Sequence, residues 1–97
     1  MSTAAWRPRL ADKARLKWDR HAQKHILLYP ERGLELNPPA AAIVELCDGK
    51  KTVEEIARAL AARTGGAPET VEVDVIAFIE SMRRRGLLVV DDTGDDT

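Results

Sequence analysis

The chain has 97 residues, 44% hydrophobic and 32% charged, with a net charge of −1, the balance of one small soluble domain with a modest core. A lone cysteine, Cys47, excludes an internal disulfide and fits a reducing compartment. No apolar run is long enough to span a bilayer, and residues 1–4 lack the charged and apolar regions of a signal peptide, so the expected location is cytoplasmic.

With only four aromatics (Trp6, Trp18, Tyr29 and Phe78), aliphatic side chains must form most of the core. The small net charge hides an asymmetry. Residues 1–25 carry seven basic side chains against Asp12 and Asp19, whereas the final seven residues carry Asp91, Asp92, Asp95 and Asp96. Residues 1–9 read as a flexible or loosely anchored N-terminus, residues 10–90 as a single domain, and residues 91–97 as an acidic, disordered, solvated tail.

Taken in order, the first structured segments look extended. In residues 14–19, Leu16 and Trp18 alternate with Arg15, Lys17 and Asp19, the period of a half-buried strand. His25-Ile26-Leu27-Leu28-Tyr29 is a second, more apolar run, with residues 20–24 closing a hairpin between the two. Pro30-Glu31-Arg32-Gly33 reads as a turn, and Leu34-Glu35-Leu36 as a short third strand with both leucines on one face. Such a three-stranded meander needs a cover for its apolar face.

From Asn37 onward the pattern is helical. Asn37 is an N-cap, Pro38 sits at the first helical position, and Ala40, Ile43, Val44 and Cys47 follow as one apolar stripe. That first helix is expected to run to about Asp48 and stop at Gly49. Thr52-Val53-Glu54-Glu55 fits the T-x-x-E capping box of a second helix, ended by Gly65-Gly66. Pro68 opens a third, running to about Arg85 and stopping at Gly86. Its wide apolar arc, with Val71, Val75, Phe78 and Met82 flanked by Ile76 and Ile79, calls for two neighbouring elements or for a partner. Residues 87–90 return as a short strand or an extended arm.

No catalytic constellation is present. His21 and His25 fall on turn and strand and do not share a helical face, Cys47 has no histidine nearby in sequence, and neither a P-loop, a G-x-G-x-x-G nor an H-E-x-x-H occurs. No cofactor or metal site is expected. A winged-helix nucleic-acid binder is an alternative, but its reading helix would carry Glu69, Glu72, Asp74 and Glu80 toward phosphates, and the Arg83-Arg84-Arg85 cluster sits where cations offset a helix dipole. A homodimerisation module is a further alternative. A peptide- or protein-binding module fits better. The third strand can lie at a sheet edge and accept an added strand, and the apolar excess of the third helix can form the other wall of a groove.

Several joined motifs carry a family resemblance. Leu27-Leu28-Tyr29-Pro30-Glu31, Leu36-Asn37, Ala40-Ala41-Ala42-Ile43, Leu46-Cys47-Asp48-Gly49, Thr52-Val53 and Asp74-Val75 followed by Phe78 resemble, in order, the PqqD family of pyrroloquinoline quinone (PQQ) biosynthesis. The resemblance spans about residues 9–90, departing at His25, where Trp is common, and at Pro39, where Thr is common. It implies an α+β, winged helix-turn-helix-like fold: a three-stranded antiparallel sheet followed by three helices. It also implies a non-catalytic peptide chaperone, a recognition element of ribosomal peptide modification. Such a chaperone binds the precursor peptide PqqA by strand addition and presents it to the radical S-adenosylmethionine enzyme PqqE. Carried onto this chain, the peptide-binding walls are Gly33, Leu34, Glu35 and Leu36 facing Val71, Asp74, Val75, Phe78 and Met82.

Overall fold

The computed structural model describes residues 3–30 and 32–91, without the side chain of Asp91. In chain order the elements are a 3₁₀ turn (Thr3–Ala5), β1 (Arg7–Leu10), β2 (Arg15–Asp19), β3 (Lys24–Tyr29), β4 (Arg32–Leu36), α1 (Pro38–Leu46), α2 (Val53–Thr64), α3 (Pro68–Arg84) and β5 (Leu88–Asp91). The strands form two sheets. One is the antiparallel meander β2-β3-β4, and the other is an antiparallel ribbon of β1 and β5. The expected three strands and three helices are all present.

Local chemistry closes the meander. Asp19 ends β2 and its Oδ1 accepts from the amides of His21 (2.9 Å) and Ala22 (3.3 Å), while Gln23 takes the left-handed conformation (φ 56°) that returns the chain to β3. β4 begins at Arg32, directly opposite Tyr29, so the connection is two residues shorter than the expected four-residue turn. Across the meander, Leu16, Leu27 and Leu34 form one row and Trp18, His25 and Leu36 the next on the same face, with Leu27 and Leu36 buried and Trp18 exposed.

The helices start as their caps dictate. Asn37 Oδ1 accepts from the Ala40 amide at 2.9 Å, and Thr52 and Glu55 cap one another reciprocally at 3.2 and 2.8 Å. Gly65 (φ 77°) closes α2 in the left-handed conformation, which costs glycine little. α1 ends at Leu46, two residues before the expected stop. Cys47 becomes its C-cap, its amide donating to Val44 O (3.0 Å) and its thiol to Ile43 O (3.1 Å). Gly49 is left-handed (φ 79°), but its amide donates to Pro8 O at 2.9 Å, so it docks the N-terminal strand rather than ending the helix.

That strand is the main correction to the sequence reading. The segment expected to be loose is held from both sides. β1 pairs with β5, Pro8 is fully buried, and Trp6 O accepts the Val53 amide (2.9 Å), one of the orphan donors at the start of α2. Arg83 lies over the Trp6 ring at 5.4 Å. The arm at residues 87–90 is therefore β5, folded back onto this chain. The expected acidic tail starts inside that strand with the backbone of Asp91, and residues 92–97 lie outside the described residues.

The core lies between α1, α2 and α3 and extends under both sheets. Leu27, Val53, Ile56 and Ile79 have no exposure, and burying each such side chain contributes roughly 1.5–3 kcal/mol. On α3 the buried line is Val75, Ile79 and Met82, at i, i+4 and i+7. Val71 and Phe78, placed by the sequence at the centre of the apolar arc, sit half-buried on its flank.

A candidate peptide groove at an open strand edge

β4 pairs with β3 on one side only. In an antiparallel pair, alternate residues turn both N–H and C=O away from the partner, so the free side of β4 offers donors and acceptors to another strand. Register fixes its faces. Arg32, Leu34 and Leu36 align with Tyr29, Leu27 and His25 and face the helices. Gly33 and Glu35 take the outer face, where Glu35 pairs with Lys24 at 3.2 Å and a Cβ on Gly33 would come within 3.2 Å of Ile26 Cγ2. Only a bare residue leaves that neighbour undisturbed.

Two clefts flank this region, one lined by residues of β4 itself and one past its end with no β4 residue in its lining. The second, of about 420 Å³, lies beyond the C-terminal end of β4, where Pro38, Pro39, Ala42 and Ile43 of α1 meet Val71 and Val75 of α3, with Arg63 and Asp74 also in its lining. The other, of about 560 Å³, lies at the N-terminal end of β4 and is lined by Tyr29, Arg32, Gly33, Leu34 and, from just past α3, Arg85. α3 thus runs antiparallel to β4, its first half at the apolar cleft and its end at the arginines.

The expected site residues divide between these places. Gly33 and Leu34 line the arginine cleft; Val71, Asp74 and Val75 line the apolar one. Glu35 and Leu36 line a third depression, of about 360 Å³, with Lys24, Asn37 and Pro38. Phe78 is half-buried against the core and lines neither main cleft, and Met82, 6% exposed, is a core residue. The sequence reading left out Tyr29, Arg32, Arg85 and the α1 wall. A signal for that wall was present: α1, PPAAAIVEL, carries one polar residue, Glu45, and a helix apolar nearly all round has more than one neighbour.

The chemistry here is that of recognition. Burial, reinforced by the adjacent Asp48 carboxylate, pushes the Cys47 thiol up to about 12, so it stays protonated and un-nucleophilic at neutral pH. Asp48 itself lies well below the usual carboxylate range because the Lys51 side chain and the Lys51 and Lys50 amides donate to it, at 2.9, 2.9 and 2.8 Å; the carboxylate shapes a turn. His25 takes an edge-on contact with Trp18 (ring centroids 4.9 Å apart) and places Nε2 3.5 Å from Glu45, so the imidazole is built into the packing between β3 and α1. Among the described residues, no group of three or more His, Cys, Asp or Glu is placed to hold a metal ion, and no helix is long and apolar enough to cross a membrane.

The fold and groove define a small α+β recognition domain: a three-stranded antiparallel sheet with β4 at one of its two edges, followed by three helices. A family model described as Coenzyme PQQ synthesis protein D (PqqD) matches residues 24–88. A PqqA binding protein of Rhodopseudomonas palustris (strain TIE-1) is 38% identical over 82 residues, covering 84% of this chain and 80% of that protein. The bifunctional coenzyme PQQ synthesis protein C/D of Methylorubrum extorquens is 35% identical over 81 residues, which are 84% of this chain but 22% of that longer protein. The solution structure of the PqqD part of Methylobacterium extorquens PqqCD, a stand-alone recognition element for ribosomally synthesized and post-translationally modified peptides, superposes with a TM-score of 0.78. It is 33% identical, and the match covers 91% of this chain and 93% of that one. The chain belongs to the PqqD family.

Proposed function

We propose that this chain is a non-catalytic, cytoplasmic peptide chaperone of PQQ biosynthesis. It binds the precursor peptide PqqA as an added strand on β4 and presents it to the radical S-adenosylmethionine enzyme PqqE. The observation that carries this reading is the free edge of β4 set beside clefts shared with α1 and α3. Main-chain hydrogen bonds to β4 supply affinity, and side chains entering the clefts supply selectivity. The name of the R. palustris relative, a PqqA binding protein, supports the same ligand. The peptide-facing residues are Gly33, Leu34, Glu35 and Leu36 on one wall and Val71, Asp74, Val75 and Phe78 on the other, with Met82 packed behind them.

An amide chemical-shift titration with PqqA tests the assignment. Shifts should concentrate at residues 33–36 and 71–82, and shifts confined to residues 1–25 would overturn it. Leu34→Asp or Phe78→Ala should weaken binding by about tenfold or more in titration calorimetry with circular dichroism unchanged; unchanged affinity in both variants sinks the groove. Sedimentation with and without peptide separates this function from a homodimer formed through the same edge.

A further inference from the structure

Resting on the reading of β4 as the receptive strand, the two clefts specify more than a place for a peptide: they differ in chemistry. The cleft at the C-terminal end of β4 has Pro38, Pro39, Ala42, Ile43, Val71 and Val75 in its lining and suits an apolar side chain. The cleft at the N-terminal end holds Arg32 and Arg85, and neither makes an ion pair with any described residue, unlike Arg83 and Arg84, which both reach Glu80 (3.4 and 3.8 Å). Two guanidinium groups with no ion pair among the described residues, set beside a tyrosine, suit a carboxylate. The end of α3 opposes such an anion with only about half an elementary negative charge.

The two walls also agree in length. From Gly33 to Pro38 an extended chain covers roughly 17 Å at about 3.3 Å per residue. From Val75 or Val71 to Arg85 a helix covers roughly 15–21 Å at about 1.5 Å per residue. A strand added to β4 therefore spans from one cleft to the other in about five residues. Side chains that point to the same side of a strand are an even number apart, so the two anchoring side chains stand about four or six positions apart. The sheet is antiparallel throughout, and an antiparallel addition, slightly the more stable pairing, brings the peptide in at the apolar cleft and out at the arginines.

We infer that the groove is polarised and selects a peptide in which an apolar side chain precedes a carboxylate by about four or six residues, the first entering the α1–α3 cleft and the second pairing with Arg32 and Arg85. The recognised ligand is an extended segment of the precursor peptide with that pattern. Fluorescence anisotropy with labelled PqqA, and with versions in which each Asp or Glu is changed in turn to Asn or Gln, reads the effect. One amide substitution should weaken binding about tenfold and flatten its salt dependence. The double variant Arg32→Ala/Arg85→Ala should lose about the same factor against unmodified PqqA and almost nothing more against that neutralised peptide. Ala42→Trp, which fills the other cleft, should weaken every version alike. If PqqA binds at β4 but the arginine variant and all neutralised peptides retain full affinity, or if reversing the order of the two anchors improves binding, the polarity is wrong while strand addition stands. Absence of PqqA binding to the unmodified protein overturns both.

Discussion

The two sheets of this small protein are built in opposite ways. The meander β2-β3-β4 joins consecutive segments through short turns, and only Leu27 and Leu36 of its side chains are buried. The ribbon joins the two ends of the chain, yet it buries Pro8 and Leu88, with Leu87 beside it. It also lies against the α1–α2 connection: Arg9 bridges to Asp48, Gly49 donates to Pro8, Val53 donates to Trp6 and Arg7 Nε reaches Lys50 O at 3.2 Å. One sheet thus fastens the helical layer, while the other is lightly packed and leaves β2 and β4 paired on one side only. Tight packing and the strand proposed to receive the peptide fall on different sheets, as expected where a ligand must itself complete the structure.

The largest effects should separate the two sheets. Leu88→Ala empties a fully buried site in the ribbon and should cost about 2–5 kcal/mol, whereas Leu34→Ala in the half-buried meander should cost about 1 kcal/mol and lower peptide affinity instead. Deleting residues 1–9 should lower the melting temperature on the order of 10 °C, since it uncovers Leu88 and frees the Val53 amide. Urea titration and calorimetry measure both. If the truncated chain melts with the full-length protein, the ribbon is an appendage and the contrast fails.

The same contrast explains what the sequence could convey. The meander, the caps at Asn37 and Thr52 and the stops at Gly65 and Gly86 rest on neighbours a few residues apart, so alternation and capping chemistry reveal them. β1 does not alternate in a way that marks a strand: RPRL is short, basic and contains a proline, and its partner lies at the other end of the chain. Pro8 is tolerated because its carbonyl turns away from β5 to accept from Gly49, so its nitrogen, on the same side of the strand, is not one that the β1–β5 ladder needs. For the site, periodicity pointed to the open strand and to the α3 face. It could not tell that Val75 and Met82 pack inward while Val71 lies at a rim, or that Arg85 turns toward β4. Those facts depend on how helices are set on sheets.

A smaller pair of effects sharpens the division between fastening and binding. Asn37 caps the helix that follows β4, and Thr52 caps the helix whose first amide is met by the N-terminal segment. Removing either side chain by Thr52→Ala or Asn37→Ala should cost about 1 kcal/mol. Thr52 should cost slightly more, because its box satisfies two amides, whereas Pro38 and Pro39 leave α1 two fewer donors to satisfy. Peptide affinity should fall in Asn37→Ala, which loosens the junction of β4 with α1, and hold in Thr52→Ala. Equal affinities would mean that the cap is remote from the groove.

The smallest effect at neutral pH belongs to Cys47, at the hinge between α1 and the turn that holds the ribbon. Its thiol is pushed up from an ordinary value of about 9 to about 12 in the folded chain. The native state therefore keeps a proton that the unfolded state releases, so this contribution is whole below about pH 9 and is lost as pH rises toward 12. Over that window the native state should lose stability by up to about 1.4 kcal/mol per pH unit from this one proton. Effects common to both proteins cancel in a difference, so the measurement compares urea midpoints of the unmodified chain and of Cys47→Ala at pH 8 and pH 10.5. The unmodified chain should lose more stability between the two pH values, and its thiol should react with a disulfide reagent only at the rate of unfolding. A thiol that reacts rapidly in the folded protein at pH 8 would place Cys47 on an accessible surface, and the hinge would then be loose where the ribbon is held.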